Sequence, residues 1–155
     1  MEAIWTSVVA VMGTLLGSVV THTFQRMASR RSELFTRSEA LRQERIATYS
    51  AFAAAVEGYR HGQADRWYRR GEGADGEAFI AARDEAHRLR TVARQSLYRV
   101  RLLTDDEQVN LAAERAYEAT RDVSNARSQE DRDVKDARAR RAIEAFVSHA
   151  SARVR

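Results

Sequence analysis

The histidines and carboxylates of this sequence do not show the spacing that common catalytic or metal-binding chemistry requires. The four histidines are spread along the chain, and none lies four residues from another, the spacing that lets two imidazoles bind one zinc ion from a helix face. The acidic run Asp131, Asp133 and Asp136 alternates with basic residues and lacks the glycine and glutamate of a calcium-binding loop. Such mixed charge is typical of a solvated helix face. We therefore predict no catalytic residues, no metal and no cofactor, and a protein that is not an enzyme.

Nucleophile and phosphate-binding motifs are missing in the same way. The chain contains no cysteine, which excludes disulfides and cysteine-based chemistry. Gly71, Gly73 and Gly76 resemble a glycine-rich loop but are not followed by the Lys-Ser/Thr pair that a phosphate cradle needs. They predict a turn instead, which we place at residues 70–76.

Basic residues give the chain a formal net charge of +4, and all but Lys135 of the 26 basic residues are arginine. A nucleic-acid-binding surface would require these arginines to form a continuous stripe. They alternate with Glu and Asp, and the densest group, residues 88–101, spreads over more than one helix face. We therefore favour a protein partner over nucleic acid, and a soluble helical bundle that binds nucleic acid is kept as an alternative.

Composition predicts an all-α fold. The 155 residues include no proline and only seven glycines, and apolar residues recur with helical rather than strand spacing. We expect an N-terminal transmembrane helix that continues into a coiled-coil stalk, followed by an antiparallel bundle of about four helices.

Residues 1–25 are predicted to form the transmembrane helix. No charged side chain occurs between Ala3 and Gln25, and this stretch is long enough to cross the hydrocarbon core of a bilayer. A buried core helix and a secretory signal are the alternatives. The basic residues that follow favour a cell-membrane, single-pass topology with the N-terminus outside and the C-terminal bundle in the cytoplasm, and they could contact lipid headgroups: Arg26, Arg30, Arg31 and Arg37.

Small residues form a stripe on this predicted helix. In lipid, such a stripe lets two helix backbones approach closely, which favours a homo-oligomer packed through Thr6, Ala10, Gly13 and Gly17. The alternative is a glycine pair that faces lipid without a partner.

The basic stalk and the bundle follow from a change of apolar spacing. Met27, Leu34 and Leu41 recur every seven residues and predict a juxtamembrane coiled coil over residues 26–41. Residues 42–155 then predict the cytoplasmic bundle, in which Gly58 and Gly62 weaken the end of the first helix. Thr104 and Ser128 are predicted to cap the starts of later helices. The predicted interaction surface consists of apolar and aromatic side chains: Leu34, Phe35, Leu41, Trp67 and Tyr68. The alternative for Trp67 and Tyr68 is that they cap the end of the bundle.

The sequence resembles small single-pass membrane proteins of actinobacteria that carry an Arg-rich cytoplasmic helical bundle. The resemblance rests on Arg42-Gln43-Glu44-Arg45 followed by Tyr49 and Phe52, on Leu102-Leu103-Thr104-Asp105-Asp106 followed by Val109, and on the pair Phe146-Val147. It implies no activity. The function predicted from the sequence is a non-enzymatic membrane-anchored scaffold or adaptor for protein–protein interaction. A membrane-perturbing oligomer of the holin-like or phage-exclusion type is the second alternative.

Overall fold

The computed structural model describes the backbone of residues 2–154 and the side chains of residues 35–154. It contains the α-helices α1 (Glu2–Glu72), α2 (Glu77–Leu103), α3 (Glu107–Asp122) and α4 (Gln129–Ser151), with a short 3-10 helix (Val123–Asn125) between α3 and α4. No strand occurs within these backbone limits. The predicted all-α class is confirmed.

The chain divides into two compact units, Met1–Arg42 and Gln43–Arg155. Where side chains are described, no helix is long and apolar enough to cross a membrane. The predicted transmembrane segment, its packing residues and Arg26, Arg30 and Arg31 precede this part of the chain and lie outside the described side chains. The membrane segment therefore stays a prediction.

The second unit contains the hydrophobic core. Tyr49, Phe52, Val56 and Tyr59 lie on one face of α1 because they recur at spacings of three and four residues, and all four are buried. The ring of Phe146 in α4 packs edge-on against Phe52, with the centroids 4.7 Å apart. These aromatic contacts join the first and last helices of the bundle.

Gly58 and Gly62, predicted to weaken the end of the first helix, lie inside α1, which continues to Glu72. They lie where α2 packs closely. A Cβ atom on Gly62 would be 2.6 Å from Cδ1 of Leu89 and 3.6 Å from Cα of Ala86. The missing side chain thus permits helix approach, and the connecting turn is shorter than the predicted loop at residues 70–76.

Helix starts follow the predicted capping chemistry in one case of two. The Ser128 hydroxyl accepts a hydrogen bond from the Asp131 amide at 3.1 Å, which confirms it as the cap of α4. The prediction for Thr104 is wrong, since the cap of α3 is Asp106, whose carboxylate accepts from the Val109 amide at 3.0 Å. Thr104 instead accepts from the Asp106 amide at 3.2 Å and orders the preceding turn.

Candidate interaction surfaces

A buried ion pair joins α1 to α4. Arg60 and Asp136 are only 7% and 8% exposed, and Nη1 of Arg60 donates a hydrogen bond to Oδ1 of Asp136. Glu57 accepts from the same guanidinium at 2.6 and 3.1 Å, and Arg140 donates to the second oxygen of Asp136 at 3.3 Å. Charges removed from water need such complete pairing.

The chemistry of this cluster is structural. The hydrogen bond from Arg60 lowers the pKa of Glu57, and the hydrogen bond to Glu57 raises the pKa of Arg60. Both groups therefore stay charged near neutral pH. The prediction that Asp136 lies on a solvated face is wrong. The helical phase of α4 turns Asp136 and Ala139 inward and leaves Val134 61% exposed.

The end of α1 carries the predicted aromatic pair Trp67 and Tyr68. The indole of Trp67 donates a hydrogen bond to the carbonyl of Ala126 at 2.9 Å, which anchors the segment between α3 and α4 to α1. Tyr68 remains 43% exposed, and the guanidinium of Arg132 lies 4.8 Å from its ring centroid. Trp67 thus has a partner within the chain, while the Tyr68 ring faces solvent in part.

The predicted stalk residues belong to the first unit. Phe35 is 73% exposed and Leu41 is 41% exposed, and Arg37 is also exposed. Leu34 lies outside the described side chains. Their exposure leaves these side chains open to contact with another chain, and the predicted contact surface stays a prediction.

An apolar groove lies between α1 and α4 in the second unit. It has a volume of about 290 Å³, and its lining includes Ile46, Tyr49, Phe146 and Val147. Ile46 and Val147 are 37% and 47% exposed. The Tyr49 hydroxyl is buried and has no hydrogen-bond partner among the described residues. A groove of this kind offers apolar contacts to a docking side chain. The sequence signal was the Phe146-Val147 pair, of which one residue turns inward and one outward.

A second cavity, which shares no lining residue with the apolar groove, is basic. Arg66 of α1, Arg90 of α2 and Arg121 of α3 line this cavity with His87, and buried Tyr59 is also part of its lining. Sequence analysis missed this cluster because three separate helices contribute to it. Its only local signal was the arginine spacing within residues 88–101.

A comparison with known protein families identifies the family of the folded bundle. The model of the KilB plasmid transfer protein family matches residues 46–154. The chain belongs to the KilB plasmid transfer protein family. No curated protein and no solved structure shows a significant match to it. The KilB region begins within α1 and includes both the apolar groove and the basic cavity, whereas the predicted membrane segment and stalk precede it. The actinobacterial resemblance stays a prediction.

Proposed function

We propose that this chain serves plasmid transfer as a non-enzymatic adaptor, which a membrane helix at residues 1–25 anchors to the cell membrane. Its helical bundle lies in the cytoplasm and recruits a protein partner to the inner leaflet. Family membership across residues 46–154 carries the proposal, because the matched region is the folded bundle rather than the predicted anchor.

The chemistry of the bundle supports a binding role. The buried charged cluster around Arg60 is fully paired, and within the described part of the chain no group of His, Cys, Asp or Glu side chains is arranged to hold a metal ion. Exposed apolar side chains are instead available on α1 and α4. Such surfaces gain free energy when a partner covers them.

The apolar groove is the proposed docking surface for the partner protein. An apolar helix could place its side chains between Ile46 and Val147, a mode of recognition that amphipathic helices commonly use. Self-association through the stalk residues Phe35 and Leu41 would bring several such grooves together at the membrane.

A transfer assay with matched variants tests the docking surface. Val147→Arg introduces a charge into the groove, whereas Val134→Arg introduces the same charge at an exposed position of the same helix outside the groove lining. We expect Val147→Arg to lower plasmid transfer frequency about tenfold or more, the effect of losing one central apolar contact, and Val134→Arg to leave it near the parent value. Equal transfer by the two variants would contradict the groove as the docking surface.

A fractionation experiment tests the anchor separately. The full chain should remain in the membrane pellet after alkaline carbonate extraction, and a variant that lacks residues 1–25 should be released and should fail to support transfer. Release of the full chain would contradict the membrane anchor, and full transfer by the shortened variant would contradict its functional role.

A further inference from the structure

A basic groove runs along α2 on the side of the bundle formed with α3 and the end of α1. Three adjoining cavities of about 220, 280 and 390 Å³ make up this groove, and Arg90 lines all three. Arg94 lines two of them, and Arg66 and Arg121 join the groove from α1 and α3. The tertiary structure thus assembles a positive surface that is scattered in the sequence.

Some arginines of this groove pair with carboxylates, and others do not. Arg66, Arg90 and Arg94 form no ion pair with any residue whose side chain is described, and no carboxylate lines the cavities of 220 and 390 Å³. Glu114 and Glu118 line the third cavity, where they pair with Arg101 and Arg121. Arg66, Arg90 and Arg94 therefore carry the positive charge of the groove that no ion pair neutralises, although Arg90 and Arg94 share the third cavity with the paired Glu114 and Glu118.

Helical spacing arranges the α2 side of the groove in a row. His87, Arg90, Arg94, Tyr98 and Arg101 follow one another at intervals of three or four residues, so they share a helix face. At 1.5 Å per residue this row is about 21 Å long. Because one strand of B-DNA places a phosphate about every 3.4 Å along its axis, the row is long enough for several phosphates.

An exposed aromatic ring lies within this row. Tyr98 is 45% exposed, and Arg94 donates a hydrogen bond to its hydroxyl at 2.9 Å while its guanidinium lies 5.7 Å from the ring centroid. The contact with Arg94 holds the Tyr98 ring beside the arginines that lack an ion pair. Aromatic rings next to basic grooves provide stacking surfaces for nucleic-acid bases.

We propose that this groove binds the phosphate backbone of nucleic acid through Arg66, Arg90 and Arg94, with Tyr98 available for base stacking. The function is additional to the adaptor role, because it uses a different face from the apolar groove. The length of the row and the exposed ring favour a polymer over a single phosphate. Backbone recognition carries no base information, so binding should be independent of sequence and sensitive to salt.

Fluorescence anisotropy of the purified full chain in nonionic detergent tests the proposal. The probes are a labelled single-stranded oligonucleotide and its duplex, each titrated at several salt concentrations. The groove variant combines Arg66→Gln, Arg90→Gln and Arg94→Gln. The control variant combines Arg69→Gln, Arg83→Gln and Arg88→Gln, which removes the same charge from exposed arginines of the same two helices that pair with nearby acids.

The parent chain should bind at least one of the two probes. We expect the groove variant to lose affinity about tenfold or more and to show a salt dependence of log K that is shallower by about two to three, one unit for each lost phosphate contact. The control variant should stay close to the parent. A third variant with lysine at the three groove positions keeps the charge and should retain most of the binding, which separates lost contacts from lost folding.

Several results would overturn the proposal. The first is that the parent chain does not bind either oligonucleotide. The second is that the groove and control variants lose the same amount of affinity, which would indicate attraction by net charge alone. Competition by inorganic phosphate at equimolar levels would indicate a small-anion site. Loss of binding to anionic phospholipid vesicles by the groove variant, with oligonucleotide binding unchanged, would assign the groove to lipid headgroups.

Discussion

Two arginines of the same helix, Arg60 and Arg66, show how the two faces of the bundle differ. Arg60 points toward α4 and is 7% exposed, and its guanidinium is paired with Glu57 and Asp136. Arg66 lies fewer than two turns further along α1 and lines the basic cavity beside Arg90, where it has no ion pair with any described residue. Arg60 therefore holds α1 and α4 together, whereas the charge of Arg66 remains available to bind an anion.

Residue type alone therefore does not assign a role to an arginine in this chain. A buried guanidinium must have carboxylate partners because the cost of removing it from water is several kcal/mol. A guanidinium at a solvent-facing cavity stays hydrated and needs no such partner. Stability should therefore depend on Arg60, and anion binding on Arg66.

Replacing each of the two arginines by methionine should reveal the largest difference in the free energy of unfolding. Arg60→Met leaves the carboxylate of Asp136 buried beside Arg140 alone, and we expect it to lower the free energy of unfolding by about 3–5 kcal/mol. Arg66→Met should change it by no more than about 0.5 kcal/mol. Chemical denaturation of the full chain measures both values.

A double variant serves as the control for this prediction. Arg60→Met combined with Asp136→Leu removes both buried charges, so most of the lost stability should return. Equal destabilisation by Arg60→Met and Arg66→Met would show that the two arginines do not differ in role.

The pKa of Tyr59, which lines the basic cavity, provides a second test of the difference between the two faces of the bundle. Burial and, to a smaller extent, the nearby Tyr117 raise the pKa of Tyr59 from 10.0 to about 12, against the opposing effect of Arg90, Arg121 and Arg66. Because the folded state holds the proton more tightly, its stabilising contribution is complete below pH 10 and is lost as the pH rises through about 12. The contribution amounts to about 3 kcal/mol, since one pKa unit corresponds to about 1.4 kcal/mol.

Denaturation at pH 9 and pH 11 checks this expectation. Tyr59→Phe should lose less stability between these pH values than the parent chain, whereas Tyr98→Phe, at an exposed tyrosine of the same groove, should behave like the parent. Arg66→Met should raise the pKa of Tyr59 further. The same alkaline loss in Tyr59→Phe as in the parent would contradict the assignment.

Substitutions at the contact between α1 and α2, which brings Arg66 toward Arg90, should change the stability of the fold the least. Alanine favours a helix over glycine by about 1 kcal/mol. A Cβ on Gly58 would lie at an ordinary contact distance of 3.7 Å from Leu89, so Gly58→Ala should gain most of this amount. At Gly62 the distance is 2.6 Å, and the required movement of Leu89 should cancel much of the gain. Thermal melting of the two variants compares them, and a larger gain at Gly62 would contradict the close approach.

Local features could be predicted where neighbouring residues determine them. The Ser128 cap of α4 follows from a short polar side chain before a helix. The buried face of α3, which includes Val109, Ala113 and Tyr117, follows from helical spacing alone. The cap of α3 was misassigned because Thr104 and Asp106 both suit the role, and only the backbone path selects Asp106.

The candidate surfaces were predictable only in part. Exposure of Phe35 and Leu41 agrees with a predicted contact surface, but the apolar groove required the pairing of α1 with α4. The basic groove was missed because Arg66, Arg90 and Arg121 come from three helices, and a pattern within one helix cannot bring them together.

Local sequence was enough to predict that this chain is helical and that Ser128 caps α4, since these properties depend on contacts between residues that are close along the chain. The burial of Asp136 against Arg60, and the cavity that three other arginines share, follow only from the packing of the helices. The physical reason is that the cost of burying a charge, and the repulsion between like charges, depend on distances across helices that the order of residues does not contain.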